Sequence, residues 1–224
     1  MTMRLHDRAE AGRLLARKLS AYGDRLDVLV LGLPRGGVLV AYGIAAALRV
    51  PLDILVVRKL GVPGYEEFAL GAVATGGVKI IDPDVVEEFH LSDAEIAGVV
   101  RTEQAELRRR EAVYRSTRPA RDLRNQTVIL VDDGIATGST MRAAIEGVKR
   151  CGAARVVVAA GVAPLSTSLV LGAESDEVVC LLTPRDFRAV GPFYEEFAQV
   201  NDQEVCDVLN KSWNAGARTA AQQL

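Results

Sequence analysis

Short apolar runs recur along the chain and alternate with longer stretches of mixed character. Asp27 to Leu33, Asp53 to Val57, Thr127 to Val131, Arg155 to Ala160 and Glu177 to Leu182 each fit a buried strand. Val38 to Leu48 and Met141 to Arg150 follow the first and third of these runs and predict helices. At the N-terminus Leu5, Leu15 and Leu19, with Ala9 and Ala16 between them, predict an amphipathic helix within Met1 to Leu19. Ser92-Asp93-Ala94-Glu95 is a capping box, and the helix it opens reaches about Arg115, with Pro119 just beyond. Ala69 to Ala74 and Val78 to Ile81 flank Gly76-Gly77 and predict a hairpin. Arg58 to Phe68 is polar and broken by glycine, so it reads as a loop. Asp202 to Trp213 is expected as a closing helix.

The order is α, β-α-β, hairpin, long helix, β-α-β-α-β, tail. Strands joined through helices give a mainly parallel sheet, so the expected fold class is α/β, one doubly wound sheet with a hairpin lid and a helical hood. Residues 1–224 are expected to form a single domain. Its core is about 22–60 and 125–185, its lid about 60–80, its hood 82–124, and its C-terminal tail 183–224. Ligands of such sheets bind outside the carboxyl ends of the strands. The unusual residues fall there: Pro34-Arg35-Gly36, Arg58-Lys59, Asp132-Asp133 and Thr183-Pro184.

Composition removes several function classes. The 27 Lys and Arg residues against 29 Asp and Glu leave a formal charge of -2, unlike a dedicated nucleic-acid binder. Cys151, Cys180 and Cys206 show no paired spacing and read as apolar filler in a reducing compartment. His6 and His90 read as surface groups. No stretch approaches the roughly 18 apolar residues of a membrane helix, and the N-terminus lacks a signal-like apolar region. The expected location is cytoplasmic. Arg108, Arg109, Arg110, Arg115, Arg118, Arg121 and Arg124 form a basic stretch, expected to pair mainly with Glu103, Glu106 and Glu111.

The densest chemistry lies in Val128-Ile-Leu-Val-Asp132-Asp133-Gly-Ile-Ala136-Thr137-Gly138-Ser139-Thr140. An apolar strand ends in two acids, and a hydroxyl-rich turn then opens a helix. Amides and hydroxyls at a helix N-terminus suit a phosphate, and paired carboxylates suit neighbouring sugar hydroxyls. The segment resembles the phosphoribosyl-pyrophosphate (PRPP) motif of the type I phosphoribosyltransferases, with Asp132, Asp133, Thr137, Gly138 and Thr140 in place. The whole chain is most similar to bacterial members with a Leu-Pro-Arg-Gly-Gly start, an Arg-Lys-Leu-Gly loop and an Asp-Asp-Gly-Ile-Ala-Thr-Gly core.

The resemblance implies transfer of the 5-phosphoribosyl group of PRPP to a nucleobase or similar nitrogen acceptor, with release of pyrophosphate. It implies that Ala136, Thr137, Gly138, Ser139 and Thr140 hold the 5′-phosphate and that Asp132 and Asp133 hold the ribose. It assigns the pyrophosphate to Arg35, Gly36 and Gly37, whose loop often carries a cis peptide in this family, and to Arg58 and Lys59, matching the Arg-Lys pair of adenine-type members. It implies Mg²⁺, held mainly by PRPP and waters, with Asp132 and Asp133 as candidate protein ligands. Glu66 and Glu67 in the lid are candidates for orienting a base nitrogen, and Phe187, Phe193 and Tyr194 for stacking on a flat base or for core packing. Ala136 stands where hypoxanthine/guanine members carry an acidic base, which disfavours a 6-oxopurine handled that way. The acceptor stays open. The expected partners are PRPP and that acceptor, in a homodimer, with no membrane or nucleic acid. The alternative is a PRPP- or nucleotide-sensing regulator on the same fold, with the basic stretch meeting RNA.

Overall fold

A computed structural model describes residues 3–116 and 118–221, with side chains described up to Asn214. A five-stranded parallel sheet forms the centre. Its strands are β1 (Val28–Gly32), β2 (Leu52–Ile54), β6 (Thr127–Gly134), β7 (Arg155–Val162) and β8 (Glu177–Leu182), in the order β2-β1-β6-β7-β8. The pairing of β1 with β6 runs in continuous register from Val28–Thr127 to Gly32–Val131, and every residue of β1 is buried. Near-continuous apolar runs are what a parallel sheet covered on both faces demands.

One face carries α1 (Arg8–Lys18), α2 (Gly36–Leu48) and α7 (Asp202–Ala221). The other carries α5 (Ser139–Arg150) and α6 (Leu165–Glu174), giving two separate apolar clusters. Helices α1 and α2 touch backbone to backbone: a Cβ on Gly12 would sit 2.8 Å from the Val40 carbonyl. The N-terminal helix is therefore part of the core, with Leu15 fully buried; Met1 and Thr2 lie outside the described residues.

A second sheet of three antiparallel strands, β3 (Val57–Val62), β4 (Tyr65–Ala74) and β5 (Val78–Ile81), stands beside the first. This corrects the reading of residues 58–68 as a loop. They are a strand, a tight turn and the start of another strand, with register shifts after Leu60 and Gly61. The pairing of β4 with β5 is the expected hairpin. Likewise the strand expected over Asp53 to Val57 is split, because β2 ends at Ile54 and Val57 begins the second sheet. Helix α3 (Pro83–Glu88), capped by Asp82, leads to α4 (Asp93–Arg115), where both hydrogen bonds of the Ser92–Glu95 capping box form. No described helix is long and apolar enough to cross a membrane.

Helix α4 is fastened to the core by a buried ion pair. Arg115 Nη1 donates to both Asp53 carboxylate oxygens at 2.7 Å, and Nη2 donates to the Ile54 carbonyl at 2.7 Å. Arg115 therefore leaves the set expected to pair along its own helix, with Glu111 only at 3.9 Å. Arg109 and Arg110 do pair with Glu106, Arg124 takes Asp122, and Arg118 lies over the Trp213 ring at 4.4 Å.

Candidate functional site

The chain leaves β1 towards β2 on one side and leaves β6 towards β7 on the other. In such a sheet a crevice opens between the carboxyl ends of those two neighbours, the switch point where ligands bind. Three segments meet there: the loop from Leu33 to Arg35 with the start of α2, the acids ending β6, and the turn from Ile135 to Gly138 before α5.

The first segment is pinned by the Leu33 N–H, which donates to the Val131 carbonyl at 2.9 Å. The Pro34–Arg35 peptide bond is cis, in keeping with the resemblance. The glycines that follow admit the carboxylates. A Cβ on Gly36 would overlap Asp133 Oδ2, and one on Gly37 would lie 2.8 Å from the Asp132 Cα and 3.0 Å from its Oδ1. The N-terminus of α2 thus rests directly against both acids, where its amide dipoles favour negative charge.

Asp132 and Asp133 are treated unequally. Arg8 of α1 donates from Nε to Asp133 Oδ2 at 2.7 Å, lies 4.0 Å above the Phe197 ring, and donates from Nη1 to the Ala198 carbonyl at 2.8 Å. Both members of this pair are largely shielded, at 11% and 13% side-chain exposure, so the contact is only weakly screened. Among the described residues Asp132 has no such cation. Its Oδ1 accepts the Asp133 N–H at 2.8 Å, while burial, and then the neighbouring Asp133 charge, hold its carboxyl well above the usual range. Tyr194 fixes the strand end from beneath by donating its hydroxyl to the Asp133 carbonyl at 2.6 Å. Burial raises that phenol's pKa, so it is a donor at neutral pH.

The third segment is held from below and open above. The Ile135 N–H donates to the Val162 carbonyl at 2.8 Å, and Thr167 Oγ1 donates to the Ala136 carbonyl at 2.9 Å. Gly138 has φ 83°, and a Cβ there would meet Thr167 at 2.9 Å, so glycine is required on both counts. Ala136, Thr137, Ser139 and Thr140 around this pinned turn are exposed, and the Thr137 and Ser139 hydroxyls lie 3.2 Å apart. Helix α5 starts without a side-chain cap and without an acid in its first turn. Among the first amides the Ser139 N–H makes one long contact, to Thr137 Oγ1 at 3.5 Å, so the helix start keeps donors for an anion.

The remaining predicted residues divide. Arg35 lies beside α4 and α7, with Nη1 4.0 Å from Asp202 Oδ1. Arg58 and Lys59 lie on β3 and are occupied: Arg58 Nε donates to Glu103 Oε2 at 2.7 Å, and Lys59 Nζ donates to the Glu66 and Glu67 carbonyls at 2.8 and 3.3 Å. Glu66 and Glu67 themselves are exposed. Of the base-stacking candidates, Phe193 and Tyr194 are buried and Phe187 is half-buried. Phe193 is buried and stacks on Phe187 at 5.7 Å, and Tyr194 is 1% exposed and stacks on Phe197 at 5.0 Å. Phe193 and Tyr194 both belong to the apolar cluster beside α1. The cysteines are free, as expected, and partly exposed. His6 accompanies Glu195 at the surface. Among the described residues no cluster of three or more His, Cys, Asp or Glu side chains is arranged to hold a metal.

Arg8 was not visible as a site residue in the sequence: it lies 125 positions from Asp133. Phe197 and Thr167 were missed for the same reason, and Glu103, expected to pair with the basic stretch, instead holds Arg58 across tertiary contact.

The family model described as the phosphoribosyl transferase domain matches residues 3–194. Two Mycobacterium tuberculosis proteins, from strains CDC 1551 / Oshkosh and ATCC 25618 / H37Rv, carry the name "Putative phosphoribosyl transferase". Each is 43% identical over 215 residues, covering 96% of this chain and 48% of its own length, so the chain spans about half of these curated relatives. The crystal structure of TT1426 from Thermus thermophilus superposes with a TM-score of 0.85 at 42% identity, covering 94% of this chain and 99% of that one. With its parallel sheet, paired acids and threonine-rich turn, the chain belongs to the phosphoribosyl transferase family.

Proposed function

We propose that the chain transfers the 5-phosphoribosyl group of PRPP to a nitrogen acceptor of the nucleobase type. The observation that carries this reading is the carboxylate pair at the switch-point crevice, facing an uncapped helix N-terminus across a glycine-pinned turn. The 5′-phosphate sits on the amides and hydroxyls of residues 136–140. Arg8 occupies Asp133 Oδ2 and leaves Oδ1 for a ribose hydroxyl; Asp132 takes the neighbouring hydroxyl. The acceptor nitrogen forms its bond to the anomeric carbon as the carbon–oxygen bond to pyrophosphate breaks; the pyrophosphate keeps that electron pair, and the nitrogen's proton passes to water or to the departing pyrophosphate. Positive charge grows on the sugar ring and negative charge on the leaving group.

The protein's work is positioning and electrostatic stabilisation. Arg35 and the amides of Gly36 and Gly37 receive the pyrophosphate. Arg58 and Lys59 join them once the second sheet closes and they exchange Glu103 and the turn carbonyls for the leaving group. Closure also excludes water from the cationic centre. Asp132 and Asp133 are the carboxylates that would hold a Mg²⁺ brought in with the substrate, and such an ion would supply charge neutralisation of the leaving group.

The test is incubation with PRPP, Mg²⁺ and a panel of bases, followed by pyrophosphate release and new nucleotides. Release that depends on one acceptor supports the reading. PRPP that binds but never turns over with any acceptor favours the sensor instead.

A further inference from the structure

Helix α4 bridges two elements assigned above to pyrophosphate. At helical spacing it carries Glu103, Glu106, Arg110 and Tyr114 along one face. Glu103 holds Arg58. Two turns further on, Arg109 and Arg110 line a cleft of about 420 Å³ together with Pro34, Arg35, Val113, Tyr114 and Asp202. The cleft therefore begins at the cis-peptide loop and ends on the long helix and the start of α7.

Three guanidinium groups face this space against one carboxylate. Asp202 is engaged, accepting the Tyr114 hydroxyl at 2.7 Å. Arg109 and Arg110 share Glu106, yet Arg110 spends only its Nε on it, at 2.9 Å, and Arg109 spends Nε and Nη2. A guanidinium has five N–H donors, so several remain for a ligand. A neutral flat base is matched by apolar or aromatic walls. A wall of arginine forks matches an anion with several oxygens, above all phosphate. The helix that presents them is fixed in place by the buried Arg115–Asp53 pair.

We infer that this cleft binds a diphosphate group, extending the pyrophosphate loop from Arg35 onto Arg109 and Arg110 of α4. The inference rests on the phosphoribosyltransferase reading for Arg35 and adds residues outside the segments that motif comparison assigned. The diphosphate has two sources, the leaving group of PRPP or the diphosphate arm of a separate nucleotide. In either case Glu106 is its competitor, since it neutralises two of the three cations.

Calorimetric titration with inorganic pyrophosphate and Mg²⁺, and separately with ribose 5-phosphate, tests this on the full chain. Arg109→Ala with Arg110→Ala is expected to weaken pyrophosphate about tenfold or more, as loss of charge-assisted bonds should, and to leave ribose 5-phosphate unchanged. Glu106→Gln is expected to tighten pyrophosphate several-fold, a gain that misfolding cannot mimic. Loss of pyrophosphate binding when PRPP saturates the protein identifies the leaving-group source; persistence identifies a separate nucleotide. Pyrophosphate affinity unmoved by both variants would overturn the inference. Failure of the wild-type chain to bind ribose 5-phosphate would instead strike the functional reading and leave the arginine result standing.

Discussion

The two halves of the proposed site are built differently. The proposed sugar half, Asp132 to Thr140 with Gly36 and Gly37, is set by strand ends and helix starts of the central sheet, its strand end held by Tyr194 and its turn by Thr167 and Val162. The leaving-group half on the second sheet has the right charges engaged elsewhere: Arg58 is with Glu103, and Lys59 is with the turn carbonyls. Binding of the sugar phosphate can thus begin on a preorganised surface. In the proposed reaction the site is completed when Arg58 and Lys59 of β3 exchange these partners for the leaving group. On the proposed function the difference teaches that recognition and chemistry are separable, the first built into the core and the second conditional on movement of the appended sheet.

The largest expected effect comes from breaking the preorganised half. Gly36→Ala drives a methyl group into the Asp133 carboxylate. Ribose 5-phosphate titration should show affinity lost by about 100-fold, and thermal unfolding a stability cost of about 3 kcal/mol, as expected of severe overpacking beside a buried charge. Next is Asp133→Asn. It removes a charged acceptor for the sugar and leaves Arg8 facing a neutral amide, so affinity for both PRPP and ribose 5-phosphate should fall about 10- to 100-fold. Unaltered binding and turnover would remove the assigned ribose contact.

Lys59→Ala addresses the conditional half. Turnover should fall about tenfold, the worth of one charge-assisted contact in the transition state, while ribose 5-phosphate binding stays as in the wild type. Equal losses of both would erase the distinction between the halves. The smallest effect is on stability. Asp132 is buried beside Asp133, and its carboxyl is held above the usual range. The protonated form is therefore favoured by the unliganded fold. The stability this gives is fully present below the unfolded-state pKa and is lost as pH rises through the folded-state pKa. Asp132→Asn should stabilise the unliganded protein by about 1 kcal/mol at neutral pH, flatten that pH dependence in denaturant unfolding, and weaken sugar binding.

The same division explains what could be read from the sequence. The strands of the central sheet are continuous apolar runs, and the acids and the turn follow one of them directly, so the sugar half is local in the chain. The capping box at Ser92 marks α4 for the same reason. The second sheet leaves a weaker trace. Its strands bury only part of their residues, the first five positions of β4 are exposed, and bulged pairing at Leu60 and Gly61 breaks the alternation. Asp82-Pro83, a cap followed by a proline at the first helical position, is a local signal that marks the start of α3. Tyr194 could be named as an aromatic near the site, but its direction depends on Gly161, where a Cβ would overlap the Tyr194 hydroxyl. The Arg8–Asp133 pair has no local signal at all.

The most direct test is a crystal structure with PRPP and Mg²⁺. The account predicts the 5′-phosphate on the amides of residues 136–140, ribose hydroxyls on Asp132 and Asp133, and Arg8 still bound to Asp133. Density for the sugar at any other place, with the turn before α5 empty, would contradict it.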